Sequence, residues 1–214
     1  MKTLYVVAAL AAGSLGFAQQ TVSLENFKSV SIAPDMELTL VKSKENKLVI
    51  EGTDDQEIDI EQEKGNLTLK GEGRATLYYK GELENIAVGA DGKVYSDDEI
   101  TGASFSIAAG SDSKITLKLN VKKLHIAAGS DAQITLTGKA GDHNVTLASD
   151  AKLNAEELST LNTSIVLASD AQATITTTGN LSATVGSDGE LEIHGNPKNV
   201  KETKGSDAEI RFVR

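Results

Sequence analysis

From Ile86 onward, apolar and polar residues alternate along the chain in short stretches that return at a fixed phase. Each stretch surrounds a corner of small residues carrying an aspartate: Gly110-Ser111-Asp112, Gly129-Ser130-Asp131, Gly186-Ser187-Asp188 and their equivalents. Five residues before the aspartate stand Ile86, Ile107, Ile126, Val145, Ile165 and Ala183, a row that fails only at Glu202. Three before it stand Val88, Ala109, Ala128, Leu147, Leu167 and Val185, failing at Lys204. Three after it stand Val94, Ile115, Ile134, Leu153, Ala173, Leu191 and Ile210, whereas two after it every residue is polar. A period of two, not 3.6, predicts strands with one buried face.

The seven aspartates are Asp91, Asp112, Asp131, Asp150, Asp170, Asp188 and Asp207, spaced by 21, 19, 19, 20, 18 and 19 residues. Fainter echoes at Asp35, Asp54 and Gly73 continue the rhythm upstream. Identical strands at such a period bury their apolar faces by coiling and stacking in register, each pairing in parallel with its counterpart one turn on. The expected fold is all-β, a parallel β-helix or β-solenoid of about ten 19-residue turns, the first three degenerate. Ten turns spaced by about 4.8 Å would make a rod on the order of 50 Å long. An antiparallel sandwich also suits short strands, but it does not require one tripeptide at one phase seven times.

Residues 1–18 read as an export signal: Lys2, an apolar run from Thr3 to Ala12, and small residues Gly16 and Ala18 before the expected cleavage. Residues 19–85 then form irregular β turns and 86–214 the regular repeats, as one continuous domain. The expected location is outside the cytoplasm: periplasmic, associated with the outer membrane, or secreted. After signal removal no run long enough for stable membrane insertion is expected.

Composition narrows the chemistry. The formal charge of −10 argues against nucleic acid as a partner. The absence of cysteine removes disulfides, thiolate metal sites and cysteine nucleophiles. An aromatic content of 4% implies a thin interior filled by Ile, Val, Leu and Ala. The three histidines, His125, His143 and His194, fall at different phases of the repeat, and two neighbouring imidazoles make a poor zinc site. No nucleophile elbow, metalloprotease motif or phosphate loop occurs, and the three arginines are too few for a lyase acting on acidic glycans. The chain is read as non-catalytic and without a cofactor.

Two binding features remain. Stacked corner carboxylates about 4.8 Å apart repel by roughly 1 kcal/mol in water. A calcium ladder along Asp91, Asp112, Asp131, Asp150, Asp170, Asp188 and Asp207 would relieve that. The simpler account is a tight corner in which Ser and Asp side chains serve the local backbone. Tyr78, Tyr79 and Tyr95 form a candidate ligand patch, because Tyr79 and Tyr95 lie six and four residues past successive corners, at even offsets that point outward. Alternatively, these rings cover the junction between irregular and regular repeats.

The repeated phrase, the opening Phe27-Lys28-Ser29-Val30-Ser31-Ile32 and the late Gly195-Asn196-Pro197 together resemble the putative auto-transporter adhesin, head GIN domain family, over roughly residues 26 to 212. The resemblance implies an exported β-helix-like domain with an adhesin label, whose partner is a glycan or protein at the cell surface. Two departures stand out: no translocator barrel is expected after the last repeat, and Asp stands where relatives often carry Ala or Gly at the corner. The edge of the last strand, Glu209 to Val213, is a site where copies of the chain could associate.

Overall fold

A computed structural model describes residues 19–51 and 58–213. Among them there is no helix, only strands and turns. In chain order the strands are β1 (Gln19–Ser23), β2 (Ser29–Ile32), β3 (Met36–Lys42), β4 (Lys47–Glu51), β5 (Asp59–Glu63), β6 (Asn66–Lys70), β7 (Gly73–Tyr79) and β8 (Asn85–Val88). Five long strands follow, β9 (Lys93–Ala109), β10 (Lys114–Ala128), β11 (Gln133–Leu147), β12 (Lys152–Leu167) and β13 (Gln172–Val185). The last three are β14 (Glu190–His194), β15 (Asn199–Lys204) and β16 (Glu209–Val213).

From β8 to β16 every neighbour is parallel, with Ile115 opposite Val94 and Ile134, and Ile126 opposite Ile107 and Val145. The alternating residues thus stack as continuous rows, and the inward rows of Ile, Leu, Val and Ala make one core along the coil. Tyr79, Phe27 and Phe105 are its bulkiest members.

The corner is a turn closed from the residue after the aspartate to the glycine or alanine three positions back, for example Ala132 N–H to the Gly129 carbonyl at 3.3 Å. Its third residue needs a positive φ, as in a type II turn, and each corner aspartate, Asp35 included, adopts φ between +56° and +61°. Asp tolerates that region because its short side chain can bond locally. The aspartate N–H is used as well, since Asp112 donates to the Ser130 carbonyl at 3.0 Å and Asp188 to that of Ser206 at 3.0 Å. The inter-turn ladder therefore continues round the corner.

Unequal spacings are absorbed at a bend midway along the second part of each turn. Tyr95 and Glu99 sit opposite Thr116 and Lys118, so three residues of β9 face one of β10. Asn154 and Leu158 likewise face Thr135 and Gly138. Gly138 bends with φ +106°, and a Cβ there would lie 2.1 Å from the Leu119 carbonyl oxygen. The corners stay in register while the bend takes up the difference.

The coil has about seven turns rather than ten, and the shortfall is upstream. Strands β2 and β3 with the Asp35 corner do stack on β8 and β9. The next corner, between β6 and β7, stacks on the opposite side of β2 and β3 instead of following them. Spatial order is therefore β7, β3, β9, with sequence order broken. Beyond it the chain runs antiparallel, β5 on β6, β4 on β7 and β1 on β4. Asn46, buried, anchors this reversal by donating to the Glu25 carbonyl at 3.1 Å and accepting from Lys80 N–H at 2.8 Å. The echo at Asp54 and the export signal lie outside the described residues.

Candidate binding face

The strand leading into each corner shows the solvent a face unlike the rest of the molecule. Its outward rows lie six, four and two residues before the aspartate. The first runs Asn85, Ser106, His125, Asn144, Ser164 and Ser182 to Lys201; the second runs Ala87, Ala108, Ala127, Thr146, Val166 and Thr184. The third is Gly or Ala throughout. The strand after the corner instead exposes Lys93, Lys114, Lys152, Glu190 and Glu209. In a chain with 24% charged residues, these three rows carry a single charged residue, Lys201 at the last turn, and consist mostly of small side chains.

Three grooves, of about 560, 530 and 460 Å³, lie on that face. The first and second share His125, Asn144 and Ser164, and the second and third meet over Ala108, Ala127 and Thr146, so they form one continuous trough along the coil. A smaller groove of about 270 Å³ on another side is bordered by Glu192 and Arg211.

The trough is edged by a ladder of amides. Asn162 Nδ2 donates to Asp142 Oδ1 at 2.9 Å, Asn180 Nδ2 to Asn162 Oδ1 at 2.7 Å, and Asn199 Nδ2 to Asn180 Oδ1 at 2.9 Å. All four residues stand eight positions before their corner aspartate, on four successive turns. Sequence reasoning passed over them, although that constant offset was there to be read. Lys123, opposite Asp142, and Lys201, opposite Ser182, are the cations of the trough.

The corner aspartates line a separate edge, and their left-handed turns account for them. Among the described residues, no group of three or more His, Asp or Glu side chains comes together to hold a metal ion.

The tyrosines do not form a patch. Tyr79 is buried, with its hydroxyl unpartnered, and burial followed by the charge of Asp98 pushes it up to about 12. The reason is a slip of one residue: Gly73 pairs with Met36, the residue after the Asp35 corner, so the corner of that turn is Glu72. Counted from Glu72, Tyr79 has an odd offset and points inward, since a one-residue shift exchanges the faces of a strand. Tyr78 is half-buried under the Lys47 ammonium, 4.7 Å from its ring centre. Tyr95 alone is well exposed, at 43%, and its hydroxyl bonds Asp97, which raises its pKa.

The histidines have three separate environments. His125 is exposed in the trough. His143 faces the interior in a row with Leu124, Thr163 and Leu181; neither ring nitrogen has a partner, and burial pushes it down to about 4. His194 places Nε2 2.7 Å from Glu192 Oε1, and this bond, with that from Arg211, lowers the Glu192 carboxyl.

No helix among the described residues is long and apolar enough to cross a membrane, which leaves β-barrel crossing unaddressed. No curated protein matches the chain. Several solved structures share its fold. A putative adhesin from Bacteroides fragilis NCTC 9343 is 16% identical with a TM-score of 0.85, over 94% of this chain and 98% of the other. A putative adhesin from Parabacteroides merdae ATCC 43184 is 14% identical with a TM-score of 0.73, over 94% and 98%. A putative lipid binding protein from Parabacteroides distasonis ATCC 8503 is 15% identical with a TM-score of 0.70, over 94% and 98%. At such identities the likeness is one of fold. The sequence itself carries the family: matched over residues 26–197, the chain belongs to the putative auto-transporter adhesin, head GIN domain family.

Proposed function

We propose that the protein is an exported, non-catalytic, adhesin-like domain of the cell envelope that binds an extended partner along the small-residue face of its solenoid. The observation that carries the reading is the continuous trough over Ala108, Ala127 and Thr146. On a rod whose other faces bristle with charge, it is the surface where a partner can approach the sheet closely without desolvating ions. Export is supported by the pattern of residues 1–18 and by the family. The non-catalytic reading is supported by the adhesin and lipid-binding descriptions of the family and the fold neighbours. A calcium-stabilised module is the weaker reading, because the left-handed turn explains the aspartates without an ion.

The test is capture of envelope fractions on immobilised protein. Ala108→Lys with Ala127→Lys sets two long charged side chains in the trough and should abolish capture, while Lys114→Glu with Lys152→Glu, on another face, should not. Equal capture by wild type and the Ala108/Ala127 variant would sink the assignment of this face.

A further inference from the structure

We infer that the part of the trough crossing β10, β11, β12, β13 and β15 recognises an extended anionic polysaccharide, one bearing carboxylates on a hydroxyl-rich chain. This rests on the face being the binding face, and adds the chemistry of the occupant. Lys123 stands at one end and Lys201 at the other, four strand spacings apart, or about 19 Å. Neither lysine has an ion-pair partner among the described residues. The one carboxylate of the groove, Asp142, accepts from the Asn162 amide. On a chain of net charge −10, this groove is thus locally cationic, which selects an anionic occupant.

The ladder specifies the rest. Each inner amide uses one N–H within the ladder and leaves a second donor, and Asn180 keeps a second acceptor lone pair, whereas Asn162 Oδ1 also accepts from the Asn180 backbone N–H at 3.3 Å. Their donors all point toward Asp142, so the carboxylate polarises the row and makes the amide oxygens stronger acceptors for ligand hydroxyls. The row of Asn144, Ser164 and Ser182 beside it offers hydroxyls and an amide at the same repeat. Paired donors and acceptors recurring about every 4.8 Å match a polymer of hydroxyls, and the alanines beyond accept the C–H faces of sugar rings. An extended peptide would seek main-chain bonds, but the interior strands have theirs committed to parallel neighbours. Single-stranded nucleic acid would need large aromatic platforms, and no Phe, Tyr or Trp borders this groove.

The probe is a series of oligogalacturonides of increasing length, titrated calorimetrically into the full protein, with the carboxyl-reduced series alongside. Affinity should rise with length until the chain spans Lys123 to Lys201 and should fall about tenfold in each of Lys123→Glu and Lys201→Glu, as expected for loss of one charge-assisted bond. Asn180→Ala should weaken binding in both lysine backgrounds, and Lys152→Glu, the same charge change on another face, should leave it unaltered. Equal binding of the reduced series, binding indifferent to both lysines, or stronger binding of oligothymidylate or phosphatidylglycerol vesicles would each overturn the inference. Envelope capture lost in the Ala108/Ala127 variant, with no oligogalacturonide bound by wild type, would overturn the ligand class and leave the binding face standing.

Discussion

Replacing His143 by leucine should make the fold more resistant to acid. His143 occupies an inward row between Leu124 and Thr163, buried, with both ring nitrogens unpartnered. Burial holds its folded pKa at about 4, against 6.5 for a free imidazole. Between these values the unfolded chain binds a proton that the folded chain refuses, so stability is complete above pH 6.5 and falls as pH drops toward 4. Each pH unit is worth about 1.4 kcal/mol, which makes the loss across the window about 3 kcal/mol. For a domain of this size that corresponds to a lowering of roughly 6–12 °C in Tm. Leucine, already present in the same row at positions 124 and 181, has no proton to refuse. His143→Leu should equal or exceed wild type at neutral pH, since it also removes an unsatisfied polar group worth about 1–3 kcal/mol. Its advantage should then widen by about 3 kcal/mol as pH falls to 4. Urea unfolding of both proteins across the window gives the difference directly, because carboxylates such as Glu37 and Glu192 are common to both. Parallel stability curves would refute the reasoning, since they would mean that the imidazole finds a proton acceptor in the folded state.

Three further outcomes are expected. At the corners, Asp131→Gly should leave Tm within a few degrees and Asp131→Ala should cost about 1 kcal/mol from the left-handed backbone; melts with calcium and with chelator should coincide, and a calcium-dependent rise would instead favour an ion at the corners. In the interior, Tyr79→Phe should be neutral or stabilising because its hydroxyl is unbonded, Tyr79→Ala should cost about 3–5 kcal/mol, and Tyr95→Ala about 0.5 or less; equal costs for Tyr79→Ala and Tyr95→Ala by chemical denaturation would contradict the burial described. At the last turn, Glu202 and Lys204 stand where the preceding turn has Ala183 and Val185, and inward charges on an edge strand oppose pairing; Glu202→Ala with Lys204→Val should therefore yield end-to-end association in sedimentation velocity, and a monomer at all concentrations would show that the charges do not guard the edge.

The regular coil was legible because its signal is local and redundant: each turn repeats the same alternation round an aspartate, and seven agreeing copies fix both phase and face. The upstream region shows the limit of that reasoning. Its 19-residue echoes are real in spacing, yet β6 and β7 stack outside β2 and β3, a choice made by non-local pairing and by the Asn46 anchor. A spacing reports how far apart two segments lie along the chain, not which neighbour each will find. Tyr79 failed for a related reason, since assigning its corner to Gly73 instead of Glu72 reversed its face. The amide ladder escaped because it sits where the alternation breaks, just before the inward row resumes. His143 escaped because nothing in a lone histidine on an apolar row distinguishes a buried imidazole from an exposed one.

The bend that absorbs unequal turn lengths divides the coil into two kinds of real estate. At the Gly-Ser-Asp corners and along the amide ladder, one residue gained or lost would break every bond to the turns above and below. At the bend, β9 already carries Ser96, Asp97 and Asp98 where β10 has only Leu117, and the neighbouring turns keep their pairing on both sides. Foreign loops inserted between Ser96 and Asp98 should therefore be carried outward without disturbing the trough on the other face. A rod with one fixed edge and one extensible edge can diversify what it displays while keeping the track proposed to bind a partner.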